Sequence, residues 1–326
     1  MLETGRALLQ RTASRLAGWA SGPGISASGP VVDTIETVAE TAIAGGYSAG
    51  LGVGLCLPIK TAVTAGFGYA DIGDHIPVSD RSIFAVGACA RQLTTVAILL
   101  LAERNMVRLN DPVARILPDI GGENTVRLQD LLRADAASEA LLRRIIVHVS
   151  GQGYVDFVVS NLLMPAGMTS SSFSDTGERQ EYCATAYRLK DNRAHDFSAL
   201  PTHQPDVEPA DFLTTTGDLL LWNRALYRGR LLTPIMMDLM MAARSSNGGS
   251  CSPVLAPYAE RHGWAFGVQT ARLFGRRAFW QHGQSPGFDA WLFHFPDDRT
   301  DLVLLANTEE GATTILEPML RAILRI

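Results

Sequence analysis

The stretch Phe84-Ala85-Val86-Gly87-Ala88-Cys89-Ala90-Arg91-Gln92-Leu93-Thr94-Thr95, continuing through Val96 to Arg104, decides how this chain is read. Leu93, Val96, Ala97, Leu100 and Leu101 recur at the three- and four-residue intervals that put side chains on one face of a helix. A long buried helix is therefore expected over 84–104. It stops at Asn105, and Leu109-Asn110-Asp111-Pro112 starts a turn and a further short helix, because proline suits a first helical turn.

Upstream, the Val- and Gly-rich stretches 49–58 and 61–69 are short and apolar and read as a β-hairpin that opens a sheet. Downstream, residues 125–168 return to helical periodicity, with Leu131-Leu132, Leu141-Leu142, Ile145-Ile146 and Phe157-Val158 as candidate buried faces. Residues 170–212 are rich in Ser, Thr, Asp and Pro and read as loops. Residues 218–228 are helical again. Strand-like runs at 263–273, 277–281, 291–295 and 302–307 then precede a last helix over about 314–326. At the other end, residues 3–20 can form a short amphipathic helix carrying Leu8, Leu9 and Leu16, ended by Gly22-Pro23-Gly24.

With 47% hydrophobic and 19% charged residues in 326, the chain can bury a substantial core. A net charge of -5 leaves no basic stripe, so nucleic acid is not an expected partner. The first thirty residues intersperse Arg6, Arg11 and Arg15 among short apolar groups, without the continuous apolar run of an export signal or membrane span. A cytoplasmic location follows as the expectation. Cys56, Cys89, Cys183 and Cys251 have no paired spacing and read as reduced, mostly buried thiols. His75, His148, His195, His203, His262 and His294 show no metal-ligand spacing, so no metal or cofactor is expected.

Placed in order, several segments resemble the β-lactamase-related family of serine β-lactamases, DD-peptidases and penicillin-binding proteins. The 84–95 stretch with Leu109-Asn110-Asp111-Pro112-Val113 and Leu117-Pro118 is similar to that family's nucleophile helix and the turn behind it. Pro165-Ala166-Gly167-Met168 with Phe173, and Thr216-Gly217-Asp218-Leu219, resemble two further family segments. Gly263-Trp264, Phe266-Gly267, Gln281-His282-Gly283, Pro286-Gly287-Phe288 and Leu304-Leu305-Ala306-Asn307 resemble the closing strands. The resemblance implies an α/β (α+β) fold, an antiparallel sheet flanked by helices plus an all-helical subdomain with a cleft between. The division it suggests is an N-terminal extension 1–30, a discontinuous α/β domain 31–120 and 213–326, and a helical subdomain 121–212.

The family's chemistry rests on three motifs, and each departs here. In Ser-x-x-Lys, a serine attacks a carbonyl while a lysine one turn later takes its proton. This chain has Ala88 and Arg91 at those positions. A methyl group is no nucleophile, and a guanidinium that stays protonated is no base. The second motif, Tyr-x-Asn or Ser-x-Asn, is absent from the roughly twenty residues between Leu131-Leu132 and Val149-Ser150-Gly151, and its loop reads as deleted; Asp135 there reads as solvated. The third motif aligns with Gln281-His282-Gly283, where Gln281 can hydrogen-bond but carries no charge for a carboxylate.

The resemblance places an oxyanion hole at two backbone amides, those of Ala88 and Gln284, which do not depend on their side chains. Arg91 offers a fixed positive charge, either for a ligand or for a salt bridge filling the lost lysine's space. Gly283, Ser285, Phe288 and Asp289 are candidate substrate-binding residues, although a surface carboxylate and a core indole are equal readings for Asp289 and Trp291. Cys89 lies one helical step, about 100°, away from Ala88 and reads as buried and structural. His282 falls on the strand face opposite Gln281 and Gly283 and reads as packed or solvated.

The leading expectation is a repurposed β-lactamase-like protein that binds a small molecule without an acyl-enzyme. It would serve in a cyclisation or isomerisation type of biosynthetic step, with the carbonyl polarised by the amides and Arg91. One alternative is a catalytically inactive pseudoenzyme or scaffold. Another is an esterase or amidase using Cys89 or Ser285, or a chain whose serine was deliberately replaced by Ala88; the latter is opposed by Arg91 and the shortened loop.

Overall fold

The computed structural model describes residues 29–58, 62–120, 126–133, 138–174, 181–190, 197–199, 211–242 and 251–326. The expected helix over 3–20, its end at Gly22-Pro23-Gly24, and the readings of Asp135, His195 and His203 lie outside the described residues.

The fold is a mixed α/β fold with an antiparallel sheet and helices. Its sheet strands are β1 (Gly50–Cys56), β2 (Ala62–Asp71), β3 (Ile76–Pro77), β4 (Ala259–Trp264), β5 (Gln269–Leu273), β6 (Arg276–Ser285), β7 (Phe288–Phe295) and β8 (Thr300–Ala306), in the order β3-β2-β1-β8-β7-β6-β5-β4. The main helices are α1 (Pro30–Ala44), α2 (Arg91–Glu103), α3 (Glu139–Ser150), α4 (Thr216–Tyr227) and α5 (Leu316–Leu324). The chain divides into two compact units: Met1–Cys89, Ser170–Leu220 and His282–Ile326 in one, Ala90–Thr169 and Leu221–Gln281 in the other.

In the first unit, β1 pairs antiparallel with β2 (Val53 opposite Ala65) and with β8 (Val53 opposite Leu304). Leu51, Val53 and Leu55 are buried, and the glycines between them have a reason of their own. A methyl on Gly52 would stand 2.9 Å from the Thr216 methyl, and one on Gly54 would stand 3.3 Å from Leu220, so the first turn of α4 lies directly on the backbone of β1. Asn307, just past β8, donates from Nδ2 to the carbonyls of Tyr69, Ala70 and Thr185, at 3.1, 3.1 and 2.9 Å. One side chain thereby ties the end of β2 to the 185 segment.

In the second unit, α2 is buried from Arg91 to Leu101 and packs on α3. Short helical pieces at Leu128–Arg133, Tyr154–Val158 and Met164–Ala166 add Leu131, Leu132, Phe157 and Ala166 to the buried set.

The helix expected over 84–104 begins later. Phe84–Ala85 is a short strand paired with Leu213 and Thr214, and Gly87–Ala90 is a 3₁₀ turn. Short apolar runs at 84–86 suit a buried strand as well as a helix, and the positive φ of Gly87 (48°) breaks the helical path. The four cysteines are free, but only Cys89 is buried; Cys56, Cys183 and Cys251 are half-buried, because each sits at the edge of its element or in a loop. Within 170–212, the described residues include short strands at Ser172–Phe173, Tyr187–Leu189, Phe197–Ala199 and Phe212–Thr214. Among the described residues no helix is long and apolar enough to cross a membrane, and no three His, Cys, Asp or Glu side chains gather as a metal ion would require.

Candidate functional site

The turn before α2 and the end of β6 meet backbone to backbone in the first unit. A methyl built on Gly283 would lie 2.0 Å from the Val86 carbonyl oxygen, 2.5 Å from the Cys89 nitrogen and 2.9 Å from the Ala88 nitrogen. One on Gly87 would lie 2.2 Å from the Gln284 carbonyl oxygen and 2.9 Å from its nitrogen. Neither position tolerates a Cβ, so two glycines allow the strand and the turn to touch. The amides of Ala88 and Gln284 are thereby brought to the same contact.

Around that contact the side chains sort themselves. Ala88 is exposed in the 3₁₀ turn. The Cys89 amide donates to the Val86 carbonyl at 3.1 Å, and its thiol turns inward to Ala290 O, 3.6 Å away. Burial, with the Asp289 carboxylate adding to it, pushes that thiol well above the ordinary cysteine range, so it carries no thiolate near neutral pH. Gln284 is exposed and Ser285 half-buried; the Ser285 hydroxyl stands 3.5 Å from Asp211 Oδ1, at the outer limit of a hydrogen bond. Phe288 is buried edge-to-face on Phe84, with ring centroids 6.4 Å apart.

Asp289 is no surface carboxylate. It is 1% exposed, accepts from the Thr313 amide at 2.7 Å and pairs with His282 Nε2 at 2.9 Å. His282 stacks on Trp291 at 3.9 Å, and the Trp291 indole, fully buried, donates to Thr313 Oγ1. His282 is thus packed on the strand face away from Gly283, as the alternation of β6 requires. This pairing was missed in the sequence, although a tight turn at Pro286-Gly287 puts residues 282 and 289 on neighbouring strands.

The second unit holds Arg91 and Gln281. Arg91 is 8% exposed; its Nη2 donates to Leu131 O at 2.9 Å and to Ser138 Oγ at 2.8 Å, and its Nη1 lies 3.9 Å from Glu139 Oε2. Glu139 also binds Arg143 Nε at 2.9 Å and accepts from Thr94, whose hydroxyl meets Tyr154 Oη at 2.8 Å. Burial raises the Tyr154 phenol to about 12, so this network holds a neutral tyrosine. Of the two readings open for Arg91, the structure shows the salt bridge, which binds α2 to the start of α3. Ser138 and Glu139 were not singled out in the sequence, since nothing local marks a partner 47 or 48 residues from Arg91. Gln281 is buried, and its Nε2 has no partner among the described residues.

The first unit offers no activated nucleophile at position 88 or 89.

The Beta-lactamase family model matches residues 36–139 and 134–324. The chain is 23% identical over 288 residues to the putative penicillin-binding protein PbpX of Bacillus subtilis (strain 168), covering 76% of this chain and 68% of that protein. It is 24% identical over 236 residues to protein flp of Staphylococcus aureus (strain COL), covering 58% of this chain but only 47% of flp. Among solved structures it is similar to D-amino acid amidase from Ochrobactrum anthropi SV3 complexed with L-phenylalanine, with a TM-score of 0.77, 19% identity, and 91% and 99% of the two chains covered. At that identity the likeness speaks for the fold. With an antiparallel sheet flanked by helices and a family match along nearly the whole chain, this protein belongs to the Beta-lactamase family.

Proposed function

We propose that this chain is a non-acylating member of its family, one that binds a small carbonyl compound through backbone amides, those of Ala88 and Gln284, and forms no covalent intermediate. The observation that carries this reading is the pairing of Ala88 with an Arg91 whose guanidinium is engaged by Leu131, Ser138 and Glu139. Neither a nucleophile nor a base stands at the two positions where the resemblance expects them, while the glycines that bring the amides together are present. Two such donors aimed at a carbonyl oxygen are worth ~10² to 10³ in rate each where charge develops on it, so a cyclisation or isomerisation without acylation is within their reach. Amino-acid amides and related acyl compounds are the ligand class to try first, because a fold neighbour is a D-amino acid amidase.

The test is intact-protein mass spectrometry after incubation with a fluorescent penicillin and a fluorophosphonate. The expected mass is unchanged, and an Ala88→Ser variant is expected to stay unmodified as well, since it gains a hydroxyl but no base. Stoichiometric labelling of the native chain at one residue overturns the proposal. A purely scaffolding role shares the loss of the nucleophile; it is separated by ligand titration, in which a scaffold binds no carbonyl compound.

A further inference from the structure

An acidic side chain stands where the first unit brings its turn and strand end together. The short strand Phe84–Ala85 pairs antiparallel with Phe212–Thr214, Phe84 opposite Thr214 and Ala85 opposite Leu213, and the Val86 amide donates to Phe212 O at 3.2 Å. The same register carried one residue further sets Asp211 opposite Gly87, the first residue of the turn that holds Ala88. From the other side Ser285, next in the chain to Gln284, brings its hydroxyl to 3.5 Å from Asp211 Oδ1. Two separate segments thus set this exposed carboxylate beside the Ala88 and Gln284 amides, and all of these residues belong to one compact unit.

The basic groups on the surrounding segments are engaged with partners of their own. Arg188 binds Glu309 through two bonds of 2.7 and 2.8 Å, His282 is paired with the buried Asp289, and the Arg81 guanidinium lies over the Tyr182 ring at 3.7 Å. A carboxylate donates no hydrogen bond and accepts at about four positions, so Asp211 can keep Ser285 and take further N–H groups. An ammonium brings three such donors and a full positive charge, and charge-assisted bonds are the strong ones. A blocked amine brings one uncharged donor, and a carboxylate brings repulsion.

The spacing suits an ammonium one carbon from the carbonyl. In an α-amino acyl compound the nitrogen lies roughly 3 Å from the carbonyl oxygen. A ligand whose oxygen sits one hydrogen-bond length from the Gln284 amide therefore has its ammonium within reach of a group beside Ser285.

We infer that Asp211 is the ammonium-binding residue of the proposed site, and that the site takes acyl compounds carrying a free α-amino group in preference to those whose amine is blocked. This rests on the carbonyl-binding, non-acylating reading above and adds to it the group the ligand carries beside its carbonyl.

The experiment is calorimetric titration of the full chain with a matched pair, phenylalanine amide and N-acetyl-phenylalanine amide, D and L forms of each, at about pH 6, where the free amine is charged. Intact mass is recorded on each sample. The wild type is expected to bind the free amine about fivefold tighter than the acetylated compound, the size of an exposed ion pair. That preference is expected to shrink below about twofold in about 0.5 M salt. Asp211→Asn, of the same shape without the charge, is expected to bring the two affinities within about twofold, and Asp211→Lys to invert their order. A wild type that binds the acetylated amide as well as the free amine, or an Asp211→Asn chain that keeps the preference, overturns the inference and leaves the carbonyl-binding reading standing. A covalent mass increment overturns the non-acylating reading instead. Binding of neither probe at millimolar concentration overturns both.

Discussion

The turn at Gly87–Ala90 with Gly283 and the brace around Arg91 are neighbours in sequence and opposites in construction. The first is defined by the absence of side chains: two glycines let a strand and a turn meet through carbonyls and amides. The second is built on a side chain, a guanidinium shared by a backbone carbonyl, a hydroxyl and a carboxylate. Where a fold's chemistry resides in side chains, substitution can remove it and reuse the space for stability. Where it resides in backbone shape, it persists as long as the shape does.

Substitutions that break each half sharpen this contrast. The largest loss is expected from Arg91→Ala, which removes a buried side chain together with its bonds to Leu131 O and Ser138 Oγ and leaves Glu139 with Arg143 and Thr94; about 4 kcal/mol should be missing in urea denaturation. A loss under about 1 kcal/mol would show that the brace is decorative. Gly283→Ala drives a methyl to 2.0 Å from Val86 O and should cost about 3 kcal/mol, because neither backbone can retreat without opening the strand end. Ligand binding should fall with it, unlike in Arg91→Ala chains that remain folded.

Cys89→Ala tests whether the only buried thiol takes part in the chemistry. It is expected to cost about 1 kcal/mol through lost packing and to leave any probe binding unchanged, and alkylation of native protein at pH 8 should reach Cys56 and Cys183 first. The smallest effect belongs to the rim. Glu309 is held below the usual carboxylate range by two N–H bonds from Arg188, at 2.7 and 2.8 Å. Its folded-state value lies under its unfolded one, so the stabilisation is present above the carboxylate range and lost as pH falls through it. Glu309→Gln should therefore cost less than about 1 kcal/mol at pH 7, with the difference from wild type vanishing in acid.

Much of the fold was legible in the sequence because its signals are local. Alternating glycine and apolar residues at 50–56, and strand runs bounded by turns at 263–306, follow from side-chain periodicity alone. The start of the nucleophile helix was misread because Phe84-Ala85-Val86 is apolar in any conformation, and only a positive φ at Gly87 shows where the path bends. At the site, the composition of positions 88 and 91 could be read directly. What Arg91 holds could not, since Ser138 and Glu139 come to it through the packing of α3. The mutual exclusion of Cβ atoms at Gly87 and Gly283 is likewise a property of two segments nearly two hundred residues apart.

The peptide N–H of the exposed residue Ala88 has an evolutionary consequence. No codon change short of proline can delete a peptide N–H, so this donor is inherited with the chain itself while the group hung on the same carbon is free to drift. A descendant could exchange alanine for serine, cysteine or threonine in one mutational step or a few and, on the proposed reading of this amide, would keep the donor beside its new side chain.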